Sequence, residues 1–92
     1  MSTEKRKQFL EAVTGNQQII LHVKLFRMPL FLTILDEELQ KYDDSVWDQE
    51  STAREMTARV MPGTLLQFGI PQEEIDRVID QCVTEFLNNR SA

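Results

Sequence analysis

The sequence predicts an all-α protein, a small bundle of four to five helices around a central hydrophobic helix that is kinked at a proline. Residues 19–35 contain twelve Ile, Leu, Val, Phe or Met residues among seventeen, and no other segment approaches that density. Runs of β-branched residues are few, and the chain has three glycines and three prolines. Elsewhere the apolar residues recur at helical spacing, which is typical of helices that pack around such a segment.

The central segment is expected to be a helix that its neighbours cover on at least two sides. On a helical wheel its polar residues, apart from Lys24 and Arg27, fall within an arc of about 60°, so the apolar face is roughly twice the usual ~100° stripe. Pro29 removes one helical hydrogen bond. The pattern therefore predicts helix over 17–27, a break near Met28, and helix over 29–42.

The size of that break follows from the spacing of the apolar residues on its two sides. Their helical repeat continues across the break, which favours a modest kink over a reversal; the residues concerned are Val23, Phe26, Leu30 and Ile34. The sequence does not distinguish one kinked helix from two helices.

The remaining helices are predicted from their end signals. The first should begin near Ser2 or Thr3 and end at Gly15-Asn16. The third should begin at Ser45 or Thr52, since each has an acidic residue three positions later, as in a capping box. Its sparse apolar residues indicate the most exposed helix of the bundle, closed by Met61-Pro62-Gly63.

The chain should then form one short apolar helical turn and a long last helix. The turn covers 64–68 and ends at Gly69. The last helix opens at Pro71 with two acids in its first turn, both favourable there. It carries the most regular apolar stripe in the chain: Ile75, Val78, Ile79, Cys82, Val83, Phe86 and Leu87.

Composition indicates one globular domain over residues 1–92 in a reducing, cytoplasmic compartment. The single cysteine cannot form an internal disulfide, which is usual for intracellular proteins. Neither a membrane span nor a signal peptide is predicted, because polar and charged residues interrupt the apolar runs that each would need. We therefore expect no membrane partner.

The net charge of −5 is unevenly distributed. Residues 1–30 carry five basic and two acidic residues, and residues 36–50 carry seven acidic residues and one lysine. Opposite patches would suit antiparallel packing of two copies or a charged partner; the alternative is two separate solvated faces. An acidic outer face on the last helix disfavours binding of nucleic acid, because it would repel phosphate.

Enzymatic and metal chemistry are not expected, and no cofactor is predicted. Cys82 lies within the apolar stripe of the last helix, where a cysteine behaves as a small buried hydrophobe. One histidine and one cysteine cannot assemble a zinc site, and the glycine-rich phosphate loop is missing. His22 is the group that titrates near neutral pH. It is interpreted as a structural, hydrogen-bonded residue near Thr33 or, alternatively, as a pH-sensitive polar site.

The function predicted from the sequence is that of a non-enzymatic protein–protein interaction module. The central helix has a second apolar stripe that would stay exposed unless a partner covers it, and such patches mark interaction sites. We expect this stripe to form a homodimer in a regulator or adaptor that binds another protein: Leu21, Leu25, Met28, Leu32, Leu35 and Leu39. Two alternatives are a monomer that buries both stripes and a small DNA-binding transcriptional regulator.

Overall fold

The computed structural model describes residues 4–91, and in this range five α-helices and no strand are found, which confirms the predicted all-α class. The helices are α1 (Glu4–Thr14), α2 (Gln17–Val23), α3 (Met28–Leu39), α4 (Glu50–Gln67) and α5 (Gln72–Ser91). Two 3₁₀ turns, Leu25–Arg27 and Asp44–Asp48, precede α3 and α4. The predicted helix start at Ser2 or Thr3 lies outside the described residues.

The first helix ends where the sequence predicts, and its end also starts the second helix. Gly15 follows α1, and the Asn16 side chain accepts a hydrogen bond at 3.1 Å from the backbone N–H of Ile19. The Asn16 side chain also donates to Gln81 Oε1 at 3.0 Å. One residue therefore caps α2 and ties it to α5.

The central segment consists of two helices, and the predicted modest kink is wrong. α2 ends at Val23, not at 27, and α3 runs from Met28 to Leu39, not to 42. The two parts meet at a bend of 89°. Pro29 lies in the first turn of α3, where a backbone N–H would have no acceptor within the helix, so proline costs no hydrogen bond. The bend is therefore made before the proline, at Lys24 and the 3₁₀ turn.

All five helices contribute to one core, and its largest group of rings lies where α1, α5 and the second 3₁₀ turn meet. The rings of Phe9 and Trp47 are 4.8 Å apart, and the rings of Trp47 and Phe86 are 5.2 Å apart in an edge-to-face arrangement. A second contact joins α3 to the end of α4, with Phe31 and Phe68 at 5.2 Å. Aromatic pairs of this geometry add about 0.5–1.5 kcal/mol to the burial of their area.

The last helix buries the stripe that the sequence predicts. Six of its seven apolar positions are buried and Leu87 packs at the edge of the core. Its most extensive helix contact is with α4. The first helix packs on α5 and on both helices of the central segment, α2 and α3.

The fourth helix differs from its prediction at both ends. It begins at Glu50 after Gln49, which makes no capping side-chain bond, so neither capping box forms. The Thr52 hydroxyl instead donates to the carbonyls of Val46 and Gln49. The helix continues through Pro62 and Gly63 and ends at Gln67. Gly69, two residues later, has φ +96° and turns the chain away. α4 is not the most exposed helix, because it makes the largest helix–helix contact of the described residues, with α5.

Gly63 is expected to lower stability, because it lies exposed inside a helix and packing gives no reason for it. A Cβ there would meet no atom within 4 Å. Replacing Gly63 by alanine should raise the free energy of unfolding by about 0.5–1 kcal/mol and the melting temperature by a few degrees. Thermal denaturation followed by circular dichroism measures this. The matched control, Gly69→Ala, should instead lower stability because of its positive φ; equal effects would contradict the assignment.

Candidate functional site

Exposed apolar side chains are concentrated at the bend between α2 and α3. Of seven large apolar side chains exposed among the described residues, five lie between positions 20 and 30. Their exposed fractions are 36% for Ile20, 61% for Leu21, 75% for Leu25, 82% for Phe26 and 56% for Leu30. We call this surface the apolar corner. It is the candidate functional site.

The bend explains why these side chains are exposed. α2 packs inward through Ile19 and Val23, and α3 packs inward through Phe31 and Leu35, all fully buried. Between them the 3₁₀ turn buries none of its residues. Leu25 and Phe26 therefore project from the angle between the two helices, and Leu21 and Leu30 lie on the outer faces beside them.

The backbone at the corner is strained. Lys24 has φ 73° and ψ 146°, a combination that L-residues other than glycine rarely adopt. Hydrogen bonds hold this residue on both sides: its N–H donates to the Ile20 carbonyl at 3.3 Å, and its carbonyl accepts from the Arg27 N–H at 3.2 Å. Such strain costs of order 1–3 kcal/mol and clusters at functional sites. The strained residue and the exposed apolar side chains lie in the same place.

The corner also differs from the rest of the chain in charge. Residues 16–35 contain no Asp or Glu, while the fifteen acidic residues of the chain lie outside that range. Lys24 is exposed beside the corner, whereas Arg27 is half-buried with its guanidinium 4.7 Å from the centre of the Phe68 ring. The apolar corner is therefore a weakly cationic surface on an acidic protein.

An open hollow adjoins the corner at the junction of α1 and α2. It has a volume of about 450 Å³ and is lined by Gly15, Gln17, Gln18, Ile20 and Leu21. A second groove of similar volume shares its first three residues and lies between α1 and α5, where amide side chains, Glu11 of α1 and Glu85 of α5 line it. The hollow gives the corner a concave part beside Ile20 and Leu21.

The structure separates the six residues predicted to form the partner interface. Leu21 and Leu25 are exposed in the corner, and Leu32 is half-buried against the core. Met28, Leu35 and Leu39 lie in the core, so a partner cannot reach them in this structure. The reason is the 89° bend, because the predicted stripe assumed one roughly straight helix through residues 17–42.

The predicted interface leaves out three of the five corner residues: Ile20, Phe26 and Leu30. Of these, Phe26 is the most exposed large apolar side chain among the described residues. The signal that could have identified the corner is the stretch without an acidic residue from 12 to 35, which includes it.

His22 is half-buried at the end of α2, and its side chain makes no hydrogen bond to another described residue. The expected proximity to Thr33 depended on a straight helix, and the bend removes that basis. The backbone carbonyl of His22 lies about 4.0 Å from where a Cβ on Gly69 would be. His22 therefore lies near the turn between α4 and α5.

Cys82 lies in the core, as its place in the stripe of the last helix predicts. Burial raises the pKa of its thiol to about 12. The thiol therefore stays protonated at neutral pH, and a protonated thiol is a poor nucleophile and a poor metal ligand. Within residues 4–91 no group of three His, Cys, Asp or Glu side chains could hold a metal ion.

Two of the three basic residues near the N-terminus are paired within the molecule. Lys5 forms an ion pair with Asp48, and Arg6 Nε donates to Asp36 Oδ1 at 2.7 Å. The opposite charge patches predicted from the sequence thus meet each other inside one chain. On α4, Arg54 binds both Glu50 and Asp80, at 2.8 and 2.7 Å.

Within residues 4–91, no single helix has both the length and the apolar composition of a membrane-spanning helix. α2 and residues 25–39 reach both when taken together, but the 89° bend separates them.

Comparison with known proteins adds no family to this description. No protein-family model matches the chain, and the searches of curated proteins and of solved structures found no significant match.

Proposed function

We propose that the protein is a non-enzymatic protein-interaction module whose contact surface is the apolar corner. The observation that carries the proposal is the concentration of five exposed apolar side chains at one strained bend. Burying these side chains against a partner would remove their apolar surface from water, at about 25 cal/mol per Å². The corner is the surface of this chain that gains most from contact.

The exposed area of the corner and the strained backbone within it both favour an interaction surface. The five side chains expose on the order of 600 Å² of apolar surface, which is the upper end of the largest patch on a typical monomer. Area by itself therefore favours interaction only modestly. The strained Lys24 adds an independent reason, since backbone strain at an exposed site is retained where it shapes a functional surface.

The alternative of a DNA-binding regulator has less support from the charges. Binding to duplex DNA depends on Lys and Arg side chains that neutralise phosphates. Lys5, Arg6 and Arg54 are each paired with carboxylates of the same chain. The corner itself presents mainly aliphatic and aromatic carbon. A mobility-shift assay with generic duplex DNA at low salt should accordingly show no complex.

Site-specific photo-crosslinking tests the proposed function. A photoreactive amino acid at Leu25 or Phe26 should give discrete protein adducts in extract of the source cells, because these side chains would be buried in the complex. The matched control is the same substitution at Leu66, which is 49% exposed on α4 and lies outside residues 20–30. Mass spectrometry identifies the adducts, self-adducts included. Equal labelling from all three positions, or none from the corner, would contradict the proposal.

A further inference from the structure

We infer that the partner that covers the apolar corner is a second copy of this chain, in a two-fold symmetric dimer. The inference rests on the proposed function, because it uses the same surface and names its occupant. In a two-fold interface the same patch of both copies meets, so a patch must be complementary to itself. Three properties of the corner meet this requirement: its charge, its area and its shape.

Two copies of this acidic chain repel each other, so the faces through which they meet matter. Each copy carries a net charge of −5, and all fifteen acidic residues lie outside residues 16–35. Contact through most other faces would bring carboxylates of both copies together, and like charges repel. Contact through the two corners keeps them apart. The cost is the approach of two Lys24 side chains, whose long flexible stems allow the ammonium groups to stay in water.

The area is sufficient for a dimer of moderate affinity. Two corners of on the order of 600 Å² each would bury up to about 1,200 Å², the lower end of the range for specific interfaces. Leu25 and Phe26 supply the largest share, since they are 75% and 82% exposed. Large side chains at the centre of an interface commonly dominate its affinity.

The shape of the corner combines a projection with a concavity. Leu25 and Phe26 are exposed at the bend, and the open hollow of about 450 Å³ is lined by Ile20, Leu21 and residues at the start of α2. In a two-fold arrangement the projecting residues of one copy can enter the hollow of the other, and the same contact is repeated by symmetry.

Sedimentation velocity of the purified full chain, from micromolar to near-millimolar concentration, tests the dimer. We expect a reversible dimer whose Kd rises at least about ten-fold in the double variant Leu25→Ser/Phe26→Ser, the effect of losing central contacts. The matched control, Leu66→Ser, removes a 49% exposed apolar side chain of α4 and should leave Kd unchanged. Circular dichroism should show equal helix content in all three proteins, since the altered residues are outside the core.

Salt gives a second readout of the same contact. Because the proposed interface joins two like-charged copies, raising the ionic strength should strengthen association by screening their repulsion. Association that weakens with salt would overturn the inference, since it would indicate pairing of opposite charges.

The remaining outcomes separate this inference from the proposed function. A chain that stays monomeric throughout, or a dimer that the Leu66→Ser change weakens and the corner variant does not, overturns the homodimer. If the corner then crosslinks to a different protein, the proposed function stands without it. A monomer whose corner binds vesicles of phosphatidylglycerol, and crosslinks to no protein, overturns both.

Discussion

Replacing Leu35 by alanine is expected to lower the free energy of unfolding by about 2–5 kcal/mol, whereas replacing Leu25 by alanine should change it by less than about 0.5 kcal/mol. The two leucines belong to the same predicted stripe of the central segment. Leu35 is fully buried on α3, and Leu25 is 75% exposed at the bend. Removing three carbons from Leu35 leaves a cavity in the core. Removing them from Leu25 opens no cavity, because most of that side chain is already in contact with water.

Urea denaturation followed by circular dichroism measures both changes. The experiment should use a low protein concentration, because association through Leu25 would otherwise add to the apparent stability. The loss at Leu35 would be a large part of the 5–15 kcal/mol that stabilises a typical domain. Leu39→Ala serves as a second buried position, at 1% exposure on the same helix face. Equal losses at Leu25 and Leu35 would mean that the bend is not where the structure places it.

The last helix shows what the sequence could predict about this fold. Ile75, Val78 and Val83 follow a helical repeat with no breaker among them, and a buried partner surface is available along the whole length. Local propensity, periodicity and packing agree there, so the pattern alone identifies the buried face. The stop of α1 at Gly15 was predictable for the same reason.

The bend was not predictable from those signals. Lys24 carries no signal for a positive φ, which is usual only for glycine and, less often, asparagine or aspartate. Pro29 is the visible breaker in the segment, but it lies in the first turn of α3, where proline is tolerated. The apolar repeat across residues 23–34 continues through the bend because both the core and the corner use apolar residues. A pattern of hydrophobicity cannot distinguish these two uses.

The opposite error occurred on α4, where strong local breakers were overridden. Pro62 and Gly63 together predict a helix end, yet the helix continues. Met61 is buried on one side of this pair, and Thr64 and Leu65 are buried on the other. Their burial requires a continuous helix, and it outweighs the cost of about 3 kcal/mol for one interior proline. Tertiary packing of this kind is not visible in local sequence.

The candidate site was therefore predicted in part. The sequence correctly indicated that the central segment has more apolar surface than its neighbours can cover, and it named Leu21 and Leu25 among the exposed residues. It left Phe26 and Leu30 out of the predicted interface, which assumed a roughly straight helix without the bend. The surplus of apolar surface was a property of composition, whereas its location depended on one backbone conformation.

Replacing Lys24 by glycine is expected to raise the free energy of unfolding by about 1–2 kcal/mol. Glycine adopts φ 73° and ψ 146° without the steric cost of a Cβ, which is of order 1–3 kcal/mol. Against this gain stands the greater freedom of glycine in the unfolded chain, worth about 0.4–1 kcal/mol. The first term is the larger, so an exposed lysine-to-glycine change should stabilise the protein. Urea denaturation at low protein concentration measures the difference.

Lys24→Ala is the control that isolates the Cβ. It removes the charge and the long side chain but keeps the strain, so its stability should stay within about 0.5 kcal/mol of the original. A glycine variant no more stable than the alanine variant would show that the backbone at Lys24 carries no strain. If glycine does stabilise the protein, the strained lysine has a cost to folding that the monomer does not need. The same strained residue lies directly before Leu25 and Phe26, so a cost to folding at this position would be consistent with the contact proposed for the apolar corner.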